Sequence, residues 1–220
     1  RIKLPDSPQF AVKEVSKKRS VFQNIADVWS KEYAKSTFMM WVLWFAVVFS
    51  YYGMFLWLPS IMVGKGFDLI SSFKYVLIMT LAQLPGYFTA AWFIEKFGRK
   101  FVLVTYLIGT AASALVFGNA ETVGVLLASG MLLSFFNLGA WGALYAYTPE
   151  QYPAVIRGTG AGMAAAVGRI GGVFGPLLVG SLLGKGYEYG TIFAIFCVAI
   201  LIGVVAVIFL GKETKQTELR

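Results

Sequence analysis

The chain has no histidine, and only one cysteine among its 220 residues. Histidine is the side chain that most readily serves as general base and metal ligand near neutral pH, so neither a metal site nor cofactor chemistry is expected. Acid–base catalysis, and with it an enzyme, is disfavoured on the same ground. The lone thiol, Cys197, has no partner within the chain with which to form a disulfide. Charge is also scarce: 14% of residues are Asp, Glu, Lys or Arg, against about a quarter in an ordinary soluble domain.

Hydrophobic residues make up 58% of the chain and its mean hydropathy is +0.70. They fall in long runs that carry few or no charges. A helix needs roughly 20 apolar residues to cross the ~30 Å hydrocarbon layer. Six stretches reach or approach that length: Phe38–Val63, Phe73–Ile94, Phe101–Phe117, Val123–Tyr147, Gly158–Leu183 and Thr191–Leu210. Barrel strands would be about ten residues long and would alternate in polarity, which these do not. The expected fold is an all-α membrane protein of six transmembrane helices. A polar linker (1–37) precedes the bundle (38–211) and a short tail (212–220) follows it.

The net charge of +8 could suggest nucleic acid, but its distribution excludes that reading. Six spans place both termini on one side. Fifteen Lys and Arg fall there, against three (Lys65, Lys74, Lys185) on the other. The positive-inside rule makes the basic side cytoplasmic, in a multi-pass protein of the cell membrane. The linker contains Pro5 and Pro8, and then Ser20-Val-Phe-Gln23, a capping-box pattern. Phe22, Ile25, Trp29 and Tyr33 follow at helical spacing, with Lys31 and Lys35 nearby. This predicts an amphipathic helix that lies on the lipid bilayer or meets a protein partner. The opening on Arg1 rather than methionine suits a piece of a longer protein.

One basic residue belongs to neither side. Arg169 lies about a dozen residues into the fifth span, ~16–18 Å deep at ~1.5 Å per residue, close to the midplane. Ionisable groups at that depth mark functional sites by default, and no span offers a mid-depth carboxylate. A substrate carboxylate would neutralise it; helix carbonyls, or a carboxylate from outside this sequence, would also serve. On the fourth span Ser134, Asn137, Trp141, Tyr145 and Thr148 share one helical face. Thr80, Gln83 and Tyr87 share a face of the second span beside Pro85-Gly86, and Trp44, Val48, Tyr51 and Phe55 share one on the first. Such stripes suit either packing or a cavity for a flat polar ring. The fifth span is dense in glycine (Gly158, Gly160, Gly162, Gly168, Gly171, Gly172, Gly175, Gly180), which permits close helix approach, and Gly175-Pro176 predicts a bend.

Two turns carry a resemblance. Glu95-Lys96-Phe97-Gly98-Arg99-Lys100 resembles the D-R-x-G-R-R/K loop of the major facilitator superfamily. Pro149-Glu150-Gln151-Tyr152-Pro153, continuing to Arg157-Gly158-Thr159-Gly160, is similar to the P-E-x-Y-P-x-x-x-R-G-x-G loop of several of its branches. Both lie where that family places them in its carboxy-terminal six helices. Further likeness, through Tyr51-Tyr52-Gly53, Gln83-Leu84-Pro85-Gly86-Tyr87, Asn137 to Trp141, Gly168-Arg169 and Gly211 to Glu218, is to a bacterial branch that imports nicotinate. The resemblance implies one half of a twelve-span carrier that takes up a small aromatic carboxylate by alternating access. Its partner would be an amino-terminal six-helix half or a second copy of the chain. In that reading Arg169 pairs with the carboxylate, Trp141 and Tyr51 stack on the ring, and Asn137 and Gln83 bond its edge. Glu95, Gly98, Arg99, Lys100, Glu150 and Arg157 form a gate in which Glu95, Arg99, Glu150 and Arg157 make the ion pairs. Glu95 departs from the usual Asp, and Ala91 from the glycine four residues before it. Other substrates, a sugar or an organic cation, remain open, as does a membrane assembly or sensor protein that transports nothing.

Overall fold

A computed structural model describes residues 20–215; the proline-bearing linker residues 1–19 and tail residues 216–220 lie outside the described part. Helix α1 (Val21–Val28) precedes the first span, α2 (Ala34–Phe55), and its short extension α3 (Leu58–Gly64). The second span is α4 (Leu69–Leu81) followed by α5 (Gln83–Phe97); the third is α6 (Arg99–Gly118) and the fourth α7 (Val123–Glu150). The fifth is α8 (Arg157–Gly184) and the sixth α9 (Tyr189–Leu210). All six are long and apolar enough to cross a membrane, and no strand occurs among the described residues.

Prolines set the breaks. Pro85 has no N–H to give the Leu81 carbonyl, and its ring crowds that carbonyl, so the second span is interrupted at Ala82. Pro59 opens α3 in its first turn, where no donor is needed. The fifth span, by contrast, runs through Pro176 as one helix. Asp68 and Thr122 start the second and fourth spans by accepting from the amides of Ser71 (3.0 Å) and Val125 (3.3 Å). At α1 the Gln23 carboxamide accepts from the Ser20 amide at 3.1 Å. The helix predicted to continue through Tyr33 stops at Val28, and a turn leads into α2, with the Tyr33 amide bonded to the Ser30 carbonyl at 3.0 Å.

The packing has an internal symmetry. The first span packs on the fifth and sixth, the fourth packs on the second and third, and the third and sixth pack on each other. Exchanging the first three spans with the last three leaves that pattern unchanged. The first and fifth spans meet backbone to backbone because of glycine. A Cβ on Gly171 would stand 2.7 Å from the Phe45 carbonyl oxygen, and one on Gly168 2.9 Å from Val48 Cγ2. The second and fifth spans are the least enclosed. Their open sides border a cleft.

Candidate functional site

Tyr51 and Tyr52 of the first span, Tyr87 of the second, Leu138, Trp141 and Tyr145 of the fourth, and Arg169 of the fifth line an open cleft of about 400 Å³. The glycine seam places Arg169 there: Gly168 and Gly172 pack against Trp44, Val48 and Tyr52, and the intervening side chain emerges beside the aromatic wall. Among the described residues, no carboxylate and no hydrogen-bond acceptor pairs with the Arg169 guanidinium. The wall is a connected set of rings. Trp44 meets Trp141 and Tyr145 edge to face, with centroids 6.0 and 5.2 Å apart. Tyr51 meets Trp141 in the same way at 5.5 Å, and Trp141 stacks on Tyr145 at 5.7 Å. The Trp44 indole also donates to Thr148 Oγ1 at 2.9 Å.

Of the five residues expected to contact a ligand, Tyr51, Trp141 and Arg169 line the cleft. Gln83 is half-buried, with its side chain beside the Tyr51 hydroxyl. Asn137 is buried and outside the lining. Its Oδ1, Ser134 Oγ and Trp141 Nε1 are closed off without a hydrogen-bond partner among the described residues. Each such atom costs about 1–3 kcal/mol, and all three lie on one face of the fourth span. Tyr52, Tyr87 and Tyr145 join the lining too. Tyr87 and Tyr145 had a helical-face signal and Tyr52 adjoined one, but nothing in the sequence alone separated them from packing aromatics.

A second constellation sits at the basic end of the bundle. Gly98, at φ +97°, turns the chain from the second span into the third. A Cβ there would lie 2.7 Å from the Glu213 carboxylate, and L residues rarely adopt that φ. Arg99 Nε donates to Glu150 Oε1 at 3.2 Å, and Nη2 lies 3.4 Å from Glu95 Oε1. The Glu95 side chain is 75% exposed and that of Glu150 only 16%, so the Glu150 pair is the less screened of the two. Arg157 stands outside this cluster. Its Nε donates to the Tyr152 carbonyl at 3.3 Å, since the turn between the fourth and fifth spans folds it back on its own loop.

The tail supplies what motif reading missed. Glu213 accepts from the amides of Arg99 (3.0 Å) and Lys100 (3.2 Å), placing a carboxylate at the positive end of the third span. Lys100 Nζ donates to the Ile208 and Gly211 carbonyls, both at 2.9 Å, at the negative end of the sixth. The Thr214 hydroxyl donates to Glu150 Oε2, and the Tyr147 hydroxyl to the Lys212 carbonyl at 2.7 Å. The third, fourth and sixth spans are thus tied by one network. A separate buried link joins α1 to the loop after the fourth span. Thr37 Oγ1 donates to the Val28 carbonyl at 2.7 Å and accepts from the Tyr152 hydroxyl at 3.3 Å. Burial pushes the Tyr152 pKa above that of an ordinary phenol, which keeps it a donor.

Six apolar helices around an internal polar and aromatic cleft define a multipass membrane protein with a ligand-sized recess between its spans. The chain belongs to the Major Facilitator Superfamily, whose sequence profile matches residues 75–220. It is 62% identical over 219 residues to NiaP of Bacillus subtilis, a candidate niacin/nicotinamide transporter, covering 100% of this chain and 54% of that protein. It is 47% identical over 212 residues to the niacin transporter NiaP of Acinetobacter baylyi, covering 96% of this chain and 48% of that one. The chain therefore spans about half the length of these relatives. Among solved structures, FucP, a Major Facilitator Superfamily transporter in its outward conformation, matches with a TM-score of 0.79 at 16% identity. That match covers 90% of this chain and 47% of FucP, and it speaks to the fold.

Proposed function

We propose that this chain supplies one six-helix half of a secondary carrier that takes up a small aromatic carboxylate, niacin or a close analogue, by alternating access. The observation that carries the proposal is the Arg169 guanidinium beside an aromatic wall, without a partner among the described residues. In a low-dielectric recess that cation favours an anion, and the rings favour a flat, apolar body. Arg169 pairs with the carboxylate, and Trp141 and Tyr51 receive the ring. Gln83 orients the Tyr51 hydroxyl. The unpaired Ser134, Asn137 and Trp141 atoms are groups that a ligand, or a shift of the fourth span, would satisfy. Niacin stands in the names of both NiaP relatives, which supports a pyridine-ring substrate, while the carboxylate rests on Arg169.

The basic end is cytoplasmic in this proposal, and the cluster of Glu95, Arg99 and Glu150 with Gly98 and Lys100 holds a gate closed. Arg157 supports the gate by fixing its own loop. The open sides of the second and fifth spans receive the other half of the carrier, either an amino-terminal six-helix unit or a second copy. The test is nicotinate uptake by cells expressing the full reading frame with Arg169→Ala. Losing a charge-assisted pair predicts a fall in apparent affinity of about 10- to 100-fold. Unchanged affinity and rate would remove Arg169 from the site. Competition by neutral sugars or organic cations in place of aromatic acids would redirect the substrate assignment.

A further inference from the structure

The face of the fourth span turned away from the cleft borders two apolar grooves. One, of about 230 Å³, is walled by Phe93 and Phe97 of the second span, Phe101, Thr105 and Tyr106 of the third, and Phe135 and Phe136 of the fourth, with no polar surface. The other, of about 400 Å³, continues between the third and fourth spans past small residues including Gly109, Ala112 and Ser129. Phe136 borders both. Its ring lies over Gly109, where a Cβ would approach to 2.6 Å. From Phe101 to Val116 the combined trough runs about 22 Å at ~1.5 Å per residue, which exceeds the ~15 Å depth of one leaflet's hydrocarbon. Leu132 and Trp141, nine residues apart at about 100° each, leave opposite sides of the helix. The trough is therefore backed by the same helix that forms the cleft.

Its mouth is cationic. Lys96 Nζ sits 5.1 Å from the centroid of the Trp92 ring and 5.4 Å from that of Phe97, and among the described residues no carboxylate pairs with it. Lys215 reaches the same point, its Nζ donating to the Lys96 carbonyl at 2.7 Å. Among the described residues near this end, Lys96, Arg99, Lys100, Lys212 and Lys215 outnumber Glu95, Glu150 and Glu213. Arg99 holds Glu95 and Glu150, and Glu213 is engaged by backbone amides.

We infer that this trough binds one anionic phospholipid from the leaflet at the basic end of the bundle. Its headgroup rests on Lys96 and Lys215, and one acyl chain lies along Phe97, Phe136 and Gly109. Exposed apolar surface alone would accept any lipid tail; the ammonium groups at the mouth, which no carboxylate neutralises among the described residues, select the anionic headgroup. Because the bound chain presses on the fourth span from behind, lipid composition would bear on the cleft.

The inference is tested without measuring transport. The full-length protein, stripped of lipid in detergent, is offered phosphatidylglycerol or phosphatidylcholine of matched acyl chains and examined by native mass spectrometry. Preferential retention of one phosphatidylglycerol is expected. Lys96→Gln should lower that preference about fivefold, the effect of one basic residue near an anionic surface. Thr105→Trp, placed at an exposed groove position, should displace either lipid. Should that variant fold poorly, Lys96→Gln decides alone. Equal retention of both lipids overturns the inference, as does retention that neither variant changes. A dimer that replaces the lipid adduct would assign the trough to a second copy and overturn it too.

Discussion

In the proposed site Arg169 would act through geometry as well as charge. A guanidinium presents a planar fork that engages both oxygens of a carboxylate, whereas a lysine ammonium acts as a point charge. Arg169→Lys is therefore expected to bind nicotinate more weakly than the wild type and more tightly than Arg169→Ala, as checked by titration of the purified protein. Thr37 gives a second case. It is fully buried, and its hydroxyl serves both the Val28 carbonyl and the Tyr152 phenol. Thr37→Val preserves shape but strands both partners, so thermal unfolding in detergent should show a loss of about 1–3 kcal/mol. Glu150→Gln removes the charge that Arg99 faces. If Glu150 gates, single-turnover uptake slows while equilibrium nicotinate affinity stays near wild type; an affinity loss at unchanged rate counts against that role.

Among the helices, the contact of the first and fifth spans depends on missing side chains. Gly168, Gly171 and Gly175 all face the first span, whereas Gly158 and Gly162 face open space. Gly171→Leu should overpack the seam, where misfits cost about 1–3 kcal/mol, and lower the yield of folded monodisperse protein. Gly162→Ala should leave that yield unchanged. Size-exclusion profiles of the two variants side by side check the contrast. The interruption at Ala82 was foreshadowed by Pro85-Gly86, because a missing donor is a local property. The fifth span, where Gly175-Pro176 predicted a bend, stays one helix through Pro176, because neighbouring packing decides whether a proline breaks a helix.

For the molecule as a whole, the packing pattern repeats between the first and last three spans, while the second and fifth spans keep open flanks. If the other half is an amino-terminal six-helix unit, two consequences follow. Expressed alone, these 220 residues should bind nicotinate weakly or not at all in proteoliposomes. Co-expression with that unit should restore uptake. Full activity from the isolated chain would instead favour a self-paired dimer.

Run lengths and hydropathy were enough to establish six spans, because crossing an oily layer is a demand each segment meets by its own composition. The position of Arg169 midway along the fifth span and the two turn motifs were legible for the same reason: both are counted along the chain. Position in space was not. Asn137 and Trp141 share a helical face in sequence, yet burial closes Asn137 off while Trp141 borders the cleft. Arg157 belongs to the motif but folds back on Tyr152, and Glu213, with no motif spacing to mark it, caps the third span. Those outcomes depend on how helices distant in sequence approach one another, and that approach is set by side-chain volumes and glycine seams summed over the whole bundle.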